Sequence, residues 1–209
     1  NTFHLLRNAG FESISFDLIA GLPDQSLDDW RRNPDGAVTM QPEHLSLYLL
    51  EIHEGTPLAE QLRSGRRQMP DEDLAAEMYE IMIDRLAVPG YAQYEISNFA
   101  KPGFESRHNT KYWRLDPVYG FGVSAHSFDG RERYSNERDT AKYVERIENN
   151  NSAEVMREEI GLASEFIFLG LRMEYGIDLA NYQQRFEIDL LEKYKVELDR
   201  LASLGLVEV

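Results

Sequence analysis

His108 and Tyr112 stand four residues apart in His108-Asn109-Thr110-Lys111-Tyr112-Trp113, a spacing that puts both side chains on one face of a helix. Imidazole is the usual protein ligand of heme iron, and Tyr or Trp stacks on a porphyrin plane. These residues therefore form a candidate rim for a flat aromatic or metal-bearing ligand. The competing use is structural: a buried His–Asn pair closing a loop, with Trp113 as its hydrophobic plug. Asp17 precedes Gly21-Leu22-Pro23 on a strand pattern. A carboxylate at the C-terminal mouth of a parallel sheet faces the crevice where α/β proteins bind ligands. There it would accept hydrogen bonds from ribose hydroxyls or an amine; otherwise it caps the next loop. Glu51 ends a second strand at the equivalent mouth. Gly120-Phe121-Gly122 lacks the further glycines and the Lys-Ser/Thr of a phosphate loop, so close backbone approach is its better use. His126 follows, as a ligand contact or as a core histidine. No serine stands in a nucleophile-elbow context.

Several elements must position these groups. Thr2 to Asn8 reads as the end of a helix stopped at Gly10, and Ser13 to Ala20 alternates Ile14, Phe16 and Leu18 against Ser15, Asp17 and Ile19, a strand pattern. Ser26-Leu27-Asp28-Asp29 offers a capping box for a helix toward Val38, within which Pro34 predicts a kink or break. His44 to Leu50 is a nearly unbroken apolar strand, expected to be covered on both faces. Thr56-Pro57 starts a short helix and Pro70-Asp71 a longer one, with Leu74, Met78, Ile81, Met82 and Leu86 at helical spacing. Tyr91 to Phe99 and Phe121 to Phe128 are the third and fourth strand candidates, and Asp129-Gly130 marks a hairpin turn. Strands alternating with helices predict a parallel sheet. After Asn149-Asn150-Asn151-Ser152 only helices are expected, over Ala153 to Met173 and Asp189 to Leu204. A wing strand follows at Leu206 to Val209, and a domain boundary falls between Ser135 and Ser152.

The chain has 209 residues and a formal net charge of -15, which repels phosphate backbones and argues against a nucleic-acid partner. The one dense basic group, Arg63, Arg66 and Arg67, reads as a solvated helix end. No apolar run is long enough for a membrane span and no signal peptide is legible, so a cytoplasmic protein is expected. Cysteine is absent, which removes disulfides, thiolate nucleophiles and ordinary iron–sulfur ligation from this chain.

Four ordered segments carry a family resemblance: Asp17-Leu18-Ile19-Ala20-Gly21-Leu22-Pro23, Tyr94 to Ala100, His108 to Trp113, and Gly120 to Ser127, with a looser stretch around Phe166 to Arg172. The chain resembles the radical S-adenosylmethionine proteins related to oxygen-independent coproporphyrinogen III oxidase, and most of all their heme-chaperone branch. The resemblance implies an α/β fold. Residues 1–140 would be the C-terminal half of a partial (β/α)6 barrel, and residues 141–209 a HemN-type, mainly helical, winged-helix-like domain. It implies an S-adenosylmethionine pocket that includes Asp17, Glu51 and His126, and heme binding by His108, Asn109, Tyr112 and Trp113, with His108 on the iron. In that family a 4Fe-4S cluster is held by a Cys-x3-Cys-x2-Cys motif that this chain lacks. The expectation is accordingly a C-terminal fragment, consistent with the absent initiator Met and inactive alone. The implied function is heme binding and delivery to respiratory proteins; the alternatives are oxidative decarboxylation of coproporphyrinogen III and an inert structural piece.

Overall fold

The structure is a computed structural model that describes residues 2–69, 72–87 and 90–209. The chain divides into two compact units, Asn1–Ser106 and Arg107–Val209. The first contains α1 (Thr2–Asn8), β1 (Ser15–Ala20), α2 (Leu27–Met40), β2 (His44–Leu49), α3 (Pro57–Arg63), α4 (Glu72–Ala87), β3 (Ala92–Glu95) and β4 (Asn98–Ala100). Its sheet runs β1-β2-β4-β3.

Alternation along β1 decides what each face does. Phe16, Leu18 and Ala20 turn to the core, while Ser15, Asp17 and Ile19 stay exposed. β2 is parallel to β1 with Phe16 opposite Leu45 and Leu18 opposite Leu47, both buried, so α2 and α4 close one face of the sheet. Trp30 of α2, fully buried, donates Nε1–H to the Met78 carbonyl of α4 at 2.7 Å. Met78, Met82 and Leu86 complete the layer as core filler. Each such apolar side chain contributes about 1.5–3 kcal/mol by leaving water. On the opposite face the same register sets Ser15, Asp17 and Ile19 beside His44, Ser46 and Tyr48.

The Ser26 capping box forms as expected, with Ser26 Oγ accepting from Asp29 N–H at 3.1 Å and Asp29 accepting in return from Ser26 N–H. Pro34, however, does not end α2. The helix is continuous to Met40, and the proline ring is buried on the stripe shared with Trp30 and Ala37; packing against α4 outweighs the missing hydrogen bond. Thr56 caps α3. The start expected at Pro70-Asp71 lies outside the described residues. The expected third strand is two: β3 and β4 form an antiparallel hairpin, because the Glu95 carboxylate accepts from Ser97 N–H at 2.8 Å and from the Asn98 amide. β4 then pairs antiparallel with β2, so β1–β2 is the parallel pair and the sheet is mixed.

The second unit contains α5 (Arg107–Trp113), β5 (His126–Phe128), β6 (Glu132–Asn136), α6 (Thr140–Asn150), β7 (Glu154–Glu159), α7 (Leu162–Gly170), α8 (Leu179–Phe186), α9 (Leu190–Lys193) and α10 (Lys195–Ser203). β5, β6 and β7 form an antiparallel sheet in that order. The turn at Asp129-Gly130 forms as expected, Asp129 Oδ1 accepting from Arg131 and Glu132 N–H at 3.0 and 2.9 Å. The fourth strand is short, and it belongs to this sheet instead of extending the first. Residues after Ser152 are not all helical. β7 pairs with β6 across the polar Asn149–Ser152 break, which is why that break is not a unit boundary. Leu206 to Val209 contains no strand, while Gly205 takes φ +69° beyond α10, as its capping role requires. Leu115, Phe128 and Leu169 form the buried core, with Trp113, Ile160, Leu162 and Phe166 packed on it. Among the described residues no helix is long and apolar enough to cross a membrane.

Candidate functional site

α5 carries His108 and Tyr112 on one exposed face, as their spacing requires. Their rings meet edge to face with centroids 5.1 Å apart. Trp113 turns the other way. It packs on the Leu115–Phe128–Leu169 core, and the Arg172 guanidinium lies 4.3 Å above its ring. The motif thus divides its work: the histidine and tyrosine are open to a ligand, the tryptophan anchors the helix, and Asn109 is half-buried between them in sequence. The structural reading is right for Trp113 and wrong for a buried His108.

Tyr112 and His126 line one cavity of about 260 Å³, with Asp116, Ser127, Phe128 and Arg133 among the other walls. His126 reaches it as the first, exposed residue of β5. What delivers it there is Gly120. A Cβ on Gly120 would stand 2.3 Å from the His126 carbonyl oxygen, and Gly120 N–H donates to Ser127 Oγ at 2.9 Å. The rest of the loop is tied down by Asn136 Nδ2–H donating to the Gly122 carbonyl at 2.9 Å and Ser124 N–H to Glu137 O at 3.0 Å. Close backbone approach, expected of these glycines, is what they provide. The loop also displays Phe121, which is 91% exposed. A cavity of this size is below the range that encloses an ordinary ligand, so it would accept the edge of one instead of surrounding it.

Asp17 and Glu51 belong to the first unit. Asp17 is the third residue of β1, opposite Ser46, and its exposed side chain stands on the open sheet face in mid-strand instead of at the mouth. Glu51 lies two residues past β2, exposed in the loop, with His53 Nε2 3.9 Å from its carboxylate. The residue that sequence reasoning missed is His44, on Asp17's face. Its Nδ1 bonds Ser15 Oγ and its Nε2 the Tyr94 hydroxyl, both at 2.8 Å, and Tyr94 accepts from Ser106 N–H at 3.2 Å. Burial pushes the His44 imidazole below its ordinary value, against the pull of Asp17, Glu95 and Glu105. Burial likewise pushes the Tyr94 phenol up to about 12. His44 is therefore neutral at pH 7, one ring nitrogen donating and the other accepting. The available signal was a histidine opening an otherwise apolar strand.

Residues 158–209 match the HemN C-terminal domain family. Over 99% of its length the chain is 35% identical to the heme chaperone HemW of Bacillus subtilis, covering 55% of that protein. It is also 37% identical to the heme chaperone HemW of Mycobacterium tuberculosis over 82% of this chain and 45% of that one. The chain thus carries a HemN C-terminal domain over residues 158–209 and is similar to HemW proteins along nearly all of its length. Among solved structures, coproporphyrinogen III oxidase (HemN) from Escherichia coli, a radical SAM enzyme, shares the fold: TM-score 0.76 at 21% identity, over 98% of this chain and 51% of that one. A further relative is the bovine mitochondrial radical S-adenosyl methionine domain-containing protein 1, 35% identical over 82% of this chain and 41% of its own.

The chain thus spans about half the length of the HemN/HemW relatives it matches. The family implies S-adenosylmethionine and an iron–sulfur cluster in its full-length members. None of these 209 residues is a cysteine, and among the described residues no group of three or more His, Asp and Glu is placed to hold a metal ion. This chain therefore does not fit the cluster. In the first unit Asp17 is an exposed carboxylate opposite the buried Ser46, and the neighbouring His44 has both ring nitrogens engaged by Ser15 and Tyr94.

Proposed function

We propose that this protein binds heme on the exposed face of α5 and passes it to heme-accepting respiratory proteins, in the cytoplasm. The observation that carries the reading is the edge-to-face His108–Tyr112 pair, open to solvent, with Tyr112 continuing into the cavity that His126 lines. His108 supplies the imidazole for the iron, and Tyr112 and Phe121 supply apolar surface for the porphyrin. Trp113 and Asn109 act by holding α5 in place. The names of the HemW relatives support the same direction.

S-adenosylmethionine is proposed as a cofactor of the full-length protein, with Asp17 and Glu51 of the first unit as its contacts. When bound it supplies a source of an organic radical. Asp17 would accept hydrogen bonds from its hydroxyl or amino groups, and the Ser15–His44–Tyr94 chain keeps the neighbouring strand residues in fixed orientation. No catalysis by this chain alone is proposed.

Hemin titration followed at the Soret band tests the heme reading. His108→Ala is expected to weaken binding at least tenfold and to shift the band, whereas Glu51→Ala leaves both unchanged. Unaltered affinity and spectrum in His108→Ala would refute the assignment. Production of protoporphyrinogen from coproporphyrinogen III by the full-length protein, under anaerobic, reducing conditions, would replace delivery by oxidation.

A further inference from the structure

A second cavity, of about 480 Å³, lies against α5, α7 and α8. It touches none of the residues proposed for heme or S-adenosylmethionine except Trp113. Its volume is in the range that holds small organic ligands, and Trp113, Phe166 and Tyr175 give it aromatic walls.

Carboxylates outnumber Lys and Arg 37 to 22, and some arginines gather several of them: Arg157 meets Asp129, Glu132 and Glu154. Arg114 and Arg185 line the cavity, yet among the described residues neither forms an ion pair. Arg114 Nε–H reaches the Tyr175 hydroxyl only at 3.4 Å, and Arg185 Nη2–H the Leu115 carbonyl at 3.3 Å. Arg185 is nevertheless held, its guanidinium 5.6 and 5.5 Å from the Phe166 and Phe186 ring centroids. The Trp113 Nε1–H is buried and lacks a hydrogen-bond partner, a costly state for a donor.

Two carboxylates share the wall, and both are already engaged. Asp178 Oδ1 accepts from Asn181 N–H at 2.9 Å as the N-cap of α8, where the helix dipole favours its charge. Asp116 balances Arg114, whose charge it reinforces after the bond to Tyr175. Arg185, which has no ion-pair partner among the described residues, presents a planar fork whose geometry matches a carboxylate. We propose that this cavity binds a small aromatic monocarboxylate, its ring against Trp113, Phe166 and Tyr175 and its carboxylate on Arg185.

Isothermal titration of the protein with 1-naphthoate, and with uncharged 1-naphthamide as the comparison, tests the site. Naphthoate is expected to bind at least tenfold more tightly than naphthamide. Arg185→Gln is expected to weaken naphthoate at least tenfold, Arg185→Lys less, and His108→Ala not at all, with circular dichroism confirming each fold. Should Arg185→Gln fail to fold, Arg114→Gln takes its place with an expected loss of at least threefold. Absence of naphthoate binding, equal binding of naphthamide, or full affinity in the arginine variants that fold would overturn the proposal.

Discussion

Replacing Gly120 by alanine adds one methyl group at the point where the loop before β5 touches its own continuation. The φ angle of Gly120 is not in the left-handed region, so the penalty is steric alone. The new Cβ would lie 2.3 Å from the His126 carbonyl oxygen and 3.0 Å from Ala125 Cβ. The first of these is backbone and cannot swing aside as a long side chain would. Moving backbone to relieve such a contact costs about 1–3 kcal/mol. The same movement lengthens the 2.9 Å bond from Gly120 N–H to Ser127 Oγ, worth roughly 0.5–1.5 kcal/mol. A loss of about 2–4 kcal/mol is expected, together with displacement of His126 from the cavity it shares with Tyr112. Urea unfolding followed by far-ultraviolet circular dichroism measures the first; hemin titration of the folded variant measures the second. Gly36→Ala is the control, since it sits in exposed helix with nothing near its Cβ, and a gain of about 0.5–1 kcal/mol is expected there. A Gly120→Ala protein within about 0.5 kcal/mol of wild type, below the scale of either term above, would refute the steric argument.

Other consequences are open to measurement. His44 has a folded value below its unfolded value of about 6.5. The unfolded chain binds the proton first, so stability is full above about 6.5 and falls as pH drops through the folded value. His44→Gln should flatten that part of the stability–pH curve, and an unchanged slope would remove His44 as its source. Trp30→Phe deletes the 2.7 Å bond to Met78 O and leaves a small void at a fully buried site. A loss of about 1–3 kcal/mol is expected in denaturant titration, and a neutral result would contradict the packing described. Ser26→Ala removes the exposed cap of α2 and should cost about 1 kcal/mol, while Ser26→Asp should restore most of it. Equal stability of the alanine and aspartate variants would show that the cap contributes nothing.

Much of the fold was legible because it is written in local chemistry. The Ser26 cap, the Thr56-Pro57 start, the alternation of β1 and the Asp129-Gly130 turn each depend on residues within a few positions of one another. What escaped depends on distant partners. Pro34 reads as a kink or a break, yet α2 runs on unbroken through it with the ring buried between Trp30 and Ala37. Glu154 to Glu159 reads as charged helix, but β6 recruits it as a strand, and Arg157 gains Asp129 and Glu132 across the ladder. Glu95 looks like one residue of a long strand until its carboxylate gathers Ser97 and Asn98 into a turn. In the candidate site, the helical spacing of His108 and Tyr112 was legible, and so was the glycine-dependent approach to His126. The inward turn of Trp113 was read only as the competing structural use, since the residues that receive it, Leu115, Phe128, Leu169 and Arg172, lie up to nearly sixty positions away. Nor could spacing disclose that His44 stands on the same face as Asp17, since that depends on the register of β1 with β2.

The chain has two tryptophans, and they fall one to each compact unit: Trp30 in the first, sealed and hydrogen-bonded to Met78, and Trp113 in the second, beneath the Arg172 guanidinium. Nature has thereby placed a separate intrinsic fluorophore in each half. Single-tryptophan versions made by phenylalanine replacement would let each unit report its own melting, so that emission from one chain can tell whether its halves unfold together or in turn.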